Sequence, residues 1–165
     1  MEVTTWLAEI SGRLEQSGIG EAVRMTPALY PILESLHILG IALLVGPALA
    51  VDLRLLGIGR DVVPMTIVAR YLLPMSHAGF TVVAVTGAAM FIGIALAVTS
   101  SPAAPWKFGL IALAGVNIVI FHTGVYRTVK SWDFHAQPPL RAKVAALVSA
   151  SSWMGVVAAG RFLAY

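Results

Sequence analysis

Few side chains in this sequence can do acid–base or ligand chemistry, and most of those stand inside long apolar runs. They are Glu34, His37, His77, His122 and Arg161, with the amide of Asn117 and the thioethers of Met90 and Met154. An ionisable group at membrane depth is costly, so it pairs with a partner or lines a site. Imidazole and thioether both ligate haem iron. Glu34 and His37 are three residues apart, which puts them on one helix face. That spacing fits a carboxylate orienting an imidazole, or a proton relay. Arg161 suits an ion pair with Glu34, a haem propionate or a quinone carbonyl. The plain alternative for each histidine is a hydrogen bond to a neighbouring helix. His135 falls in a polar loop and is expected to be solvated.

What is missing narrows the chemistry. The sequence has no Cys, which removes disulfides, thiolate catalysis, iron–sulfur clusters and Cys-ligated zinc. It contains no nucleophilic triad, phosphate-cradling glycine loop or HExxH helix. The net charge of +3 comes from basic residues near the ends of apolar runs, a pattern of membrane topology rather than of nucleic-acid binding.

The elements that must hold these groups follow from composition. Of 165 residues, 58% are hydrophobic and only 12% charged, an apolar excess that a chain this short cannot hide from water. The fold class expected is an all-α, integral membrane four-helix bundle in a single domain. Spans of about 20 apolar residues are needed, and four are read at 30–51, 75–98, 106–126 and 140–163. Residues 5–16 form a short amphipathic interfacial helix anchored by Trp6, which Gly18 and Gly20 should end. Residues 62–73 make a second amphipathic stretch, broken by Pro74. Gly46-Pro47 should kink the first span. Glu2, Glu9, Arg13 and Glu15 interrupt the N-terminal apolar run, so the first span is expected to act as an uncleaved insertion signal. Basic residues concentrate in loops one and three, which places those loops in the cytoplasm and both termini in the periplasm. Tyr30, Trp106 and Tyr165 would form the outer aromatic belt, Tyr126 and Trp132 the inner one.

A helix rises ~1.5 Å per residue, which serves as a depth ruler. His37 falls roughly 7 Å outward of the midplane, His122 roughly 7 Å inward and His77 roughly 13 Å inward. A bis-His haem needs two imidazoles near one level. His77 and His122 meet that condition, whereas His37 and His122 are about 14 Å apart in depth. His37 would serve a second haem, alone or with Met90 or Met154 at similar depth.

The strings PILESLHILGIALLVGPALAVDLRLLG, FHTGVYRTVKSWD and GVVAAGRFLAY resemble a bacterial family of small four-helix inner-membrane proteins of uncharacterised function. The resemblance covers nearly the whole chain. It implies the fold and supplies no activity. His37 and His122 stand at matching positions, and His77 does not. The architecture is more loosely similar to four-helix b-type cytochromes and to the membrane protoporphyrinogen oxidase family, which place a His in an early span.

Three functions are compatible with these residues. The first is a b-type haem subunit passing electrons to or from a quinone or a partner redox protein, carried by His37 and His122 with His77, Met90 or Met154. The second is a cofactor-free structural or assembly subunit of a larger membrane complex or homo-oligomer. The third is a membrane enzyme on a lipid-soluble substrate, with Glu34 and His37 as acid–base groups.

Overall fold

The computed structural model describes residues 2–163, with side chains from Trp6 onward. Among these residues it is all helix: α1 (Glu2–Glu15), α2 (Gly18–Met25), α3 (Leu29–Leu55), α4 (Met65–Gly93), α5 (Ala95–Ser100), α6 (Ala104–Thr123), a 3-10 helix (Val125–Ser131) and α7 (Leu140–Leu163). The expected Tyr165 lies outside the described residues. Four helices, α3, α4, α6 and α7, are long and apolar enough to cross a membrane. Only 17–28% of each apolar window is buried inside the protein, so most of that surface must meet lipid. The molecule is a multi-pass membrane bundle.

The long helices pack as an open row, α4 on α3, α3 on α7 and α7 on α6. The two outer members, α4 and α6, do not pack along their lengths. They meet edge to face at Phe91 and Phe108, whose ring centroids are 6.1 Å apart. Glycines set the α3–α4 seam. A Cβ on Gly79 would run into the backbone of Leu43 and Leu44, and one on Gly40 would come within 3.0 Å of Val82 and Val83. Small residues at such positions let two backbones approach closely. Further along the row, Leu44, Ala114 and Trp153 form a small core that joins α3, α6 and α7.

Two proline expectations meet the structure differently. Pro74 does not divide an amphipathic segment from a span beginning at 75. It lies inside one 29-residue helix, Met65–Gly93. A proline removes one backbone hydrogen bond and crowds the turn before it. Inside a membrane bundle, neighbouring helices keep such a helix continuous. Pro47 likewise lies within α3, which runs on to Leu55. The start of α4 is fixed from far along the chain. Asp133 accepts hydrogen bonds from the Thr66 N–H at 2.7 Å and the Thr66 hydroxyl at 2.8 Å, and its carbonyl accepts from the Met65 N–H at 2.9 Å. Arg54 ties the same region together, donating to the carbonyls of Val63 (2.9 Å) and Asp133 (2.8 Å). Trp132, expected in the inner aromatic belt, is instead buried in this loop core, with its indole N–H donated to Thr128.

At the other end, the first helix stops at Glu15, as the glycines lead one to expect, and Gly18 and Gly20 then open the next helix. Ser17 accepts from the Gly20 N–H and caps α2. The N-terminal helix turns Ser11 and Glu15 inward, while Glu9 and Arg13 pair on its exposed side. Buried Ser11 hydrogen-bonds Thr99 at 3.0 Å, and Glu15 accepts from the Leu96 N–H at 2.8 Å at the start of α5. Trp6, Leu7 and Ile10 remain exposed. An amphipathic helix with its apolar side outward suits a lipid interface.

A candidate functional site between helices four and six

Because α4 and α6 stand apart, a cleft opens between them, floored by α3 and α7. Its volume is about 410 Å³. Most of its wall is apolar, with Leu44, Val51, Phe80, Phe121 and Trp153 prominent. The polar groups come one or two from each helix: Asp52 from α3, Ser76 and His77 from α4, Asn117 and His122 from α6, Ser149 from α7. Two of these are helix clamps. Ser76 donates to the Leu44 carbonyl at 3.0 Å, and the Asn117 amide donates to the Ala145 carbonyl at 2.9 Å. Asn117 was expected as a buried amide, and its place in a clamp explains it.

The other four are Asp52, His77, His122 and Ser149. His122 Nδ1 lies 2.9 Å from the Ile118 carbonyl. A carbonyl only accepts, so a proton is on Nδ1, and Nε2 is the nitrogen left for a ligand. This is the orientation a ligating histidine usually has. Phe121 and Tyr126 hold the ring, with centroids 5.4 and 5.8 Å away. Tyr126 lies just beyond the span, and its phenol is pushed above its ordinary range by burial and then by the charge of Asp133. His77 lines the opposite wall on α4. Asp52 is buried, and one of its carboxyl oxygens, Oδ2, has no hydrogen-bond partner.

His37 is elsewhere. The Thr86 hydroxyl gives its proton to the Val82 carbonyl at 2.6 Å and therefore accepts from His37 Nδ1 at 2.9 Å. The Cε1 edge of the ring abuts Gly87, where a Cβ would be 2.9 Å from His37 Cε1. Thr86 is nine residues past His77, about 14 Å along α4. Lys107, the α6 charge that reaches His37, is fifteen residues before His122, about 22 Å along that helix. The structure therefore brings His77 together with His122 and leaves His37 at the far end. There its imidazole joins α3 to α4, engaged by Thr86 rather than by Glu34. Glu34 is exposed and acts on Tyr30. Met90 is half-buried on α4, Met154 is 57% exposed, and Arg161 is on the last turn of α7. None of these lines the cleft. Among the described residues, no three His, Asp or Glu side chains gather closely enough to hold a bare metal ion.

Asp52 is the site residue that sequence reasoning missed. With Arg54 two positions on, it reads as the polar exit of a span. Successive residues turn by about 100° on a helix, so the two charges face nearly opposite ways, Asp52 to the cleft and Arg54 to the loops. The available signal was that Asp52 continues the stripe of Leu44 and Ala48 at intervals of four, both of which line the cleft.

The fold and the cleft thus define a class: an α-helical, multi-pass membrane protein with an intramembrane pocket that carries histidines on two facing walls. A family model described as a "Family of unknown function (DUF6644)" matches residues 14–165, and the chain belongs to that family. No curated protein and no solved structure matches it.

Proposed function

We propose that this protein is a b-type haem subunit of a membrane electron-transfer system, with His77 and His122 as axial ligands in the cleft between α4 and α6. One observation carries the reading: two imidazoles, from helices that do not pack along their lengths, line one mostly apolar cleft, and His122 keeps its Nε2 free. The donor set fits the group. Cofactor sites run to roughly 300–1,000 Å³ and are mostly apolar with few polar groups, and this cleft has both properties. Gly115 adds room on the α6 wall, since a Cβ there meets nothing within 4 Å. The haem supplies one-electron chemistry, while the chain supplies the ligand nitrogens, the mostly apolar walls and the orientation. His37, first expected as a ligand, acts in this reading as a clamp between α3 and α4. Electrons pass to a quinone or a partner redox protein in a bacterial inner membrane. The basic loops between the spans lie on its cytoplasmic side, with both termini in the periplasm.

The test is a dithionite-reduced minus air-oxidised absorption spectrum of protein purified in mild detergent after expression with ample haem. Near-stoichiometric α and Soret bands are expected, lost in His77→Ala and in His122→Ala and kept in His37→Ala. A featureless spectrum from folded wild-type protein would overturn the reading in favour of a cofactor-free subunit of a larger complex.

A further inference from the structure

The cleft holds one group whose electrostatics are incomplete. Asp52 is only 5% exposed, lines the cavity and has an oxygen, Oδ2, with no hydrogen-bond partner. No salt bridge reaches it among the described residues. Arg54, the nearest guanidinium in sequence, donates Nε and Nη2 to the carbonyls of Val63 and Asp133, and its Nη1 has no hydrogen-bond partner either. A buried charge without a partner is strongly unfavourable. Two arrangements relieve it. In one the carboxyl is protonated. The occupant of the cleft would then have to complete the bonding of Oδ2, which no protein group reaches. In the other the carboxylate is ionised, and its counter-charge is the occupant of the cleft.

Both arrangements call on the occupant of the cleft, and the ionised one fits an occupant of positive charge. We infer that Asp52 is the counter-charge to a cationic centre bound between His77 and His122. This rests on the haem reading above and sharpens it. Ferric iron in a dianionic porphyrin with two neutral imidazoles has a formal charge of +1, and the ferrous form has none. The groups that face the cleft from α3, α4, α6 and α7 are Asp52, His77, His122 and Ser149, so Asp52 is the one anion among them. It stabilises the oxidised form and thereby lowers the midpoint potential. Asp52 is a positioning residue for charge rather than a ligand.

The experiment is a spectroelectrochemical titration of the haem-loaded protein against Asp52→Asn and Asp52→Glu. At the wild-type midpoint potential, Asp52→Asn should shift the reduced-to-oxidised ratio from one to roughly ten. That is the size expected of one charge at ~10 Å through an effective dielectric of about 20. Asp52→Glu, which keeps the charge, should stay close to wild type. If Asp52→Asn loses haem while Asp52→Glu retains it, the charge is again what matters and the inference stands. An unchanged midpoint in a folded, loaded Asp52→Asn protein overturns it. So does equal loss of haem from both variants, which would make the residue a packing element. Wild-type protein that takes up no haem overturns this inference together with the haem reading, whereas loaded wild type with an indifferent Asp52→Asn overturns the inference alone.

Discussion

Helix α4 has two contrasting edges. Along one it lies on α3 through Gly40, Gly79 and Gly87: a Cβ on Gly79 would collide with the α3 backbone, and Cβ atoms on the other two would crowd side chains across the seam. Along the other it stands off from α6, and the gap is the cleft. Each edge has a histidine with its proton on Nδ1. At the seam that proton goes across to Thr86 of the neighbouring helix, and the ring is spent on packing. At the cleft it goes back into the histidine's own helix, to Ile118, and the ring faces open space. The lesson is that the acceptor, not the residue type or its depth, separates a clamp from a candidate ligand.

This contrast can be broken from either side. The largest effect is expected at the seam. Gly79→Leu forces α3 and α4 apart and should cost about 3 kcal/mol, read as a lower unfolding temperature in detergent with loss of haem uptake. Gly115→Leu is the counterpart in the cleft. It should abolish haem uptake while leaving stability within about 0.5 kcal/mol of wild type; equal damage to stability would mean the cleft is closed in the native protein. Thr86→Val, which removes the clamp's acceptor, should cost about 0.6 kcal/mol and leave the haem spectrum unchanged. A changed spectrum would return His37 to the ligand set. The smallest effect belongs to Tyr126. Its raised phenol stabilises the fold below the unfolded-state value near 10, and that contribution fades as pH climbs through the higher folded-state value. Thermal unfolding scanned above pH 10 should therefore fall less steeply for Tyr126→Phe than for wild type.

The long apolar runs made the four spanning helices and the all-α class legible, because length and hydropathy are local properties of the chain. The helix boundaries were less so. Pro74 is a strong local signal for a break, but the apolar residues on both sides and the α3 surface carry the helix through it. The capping of α4 by Asp133 joins residues 67 apart and leaves no trace in the local pattern. At the site, the depth ruler paired His77 with His122, and the resemblance favoured His37. The structure sets His77 and His122 on one cavity and gives His37 a partner on the next helix. Asp52 was hidden by its neighbour Arg54, since two adjacent charges at the end of an apolar run look like an exit.

The contact between Arg54 and Asp133 has a consequence for how the molecule is made. The two residues are 79 positions apart. When α3 and α4 emerge from the ribosome and enter the bilayer, the guanidinium and the start of α4 lack their final acceptors. These arrive only with the loop that follows α6. The first helical pair must therefore wait, incomplete at its loop end, for the third span to return the chain to the same side of the membrane. Non-local contacts of this kind slow assembly. Here the delay also orders it, because the last polar bonds of the first hairpin form only after the wall that faces the cleft is in place.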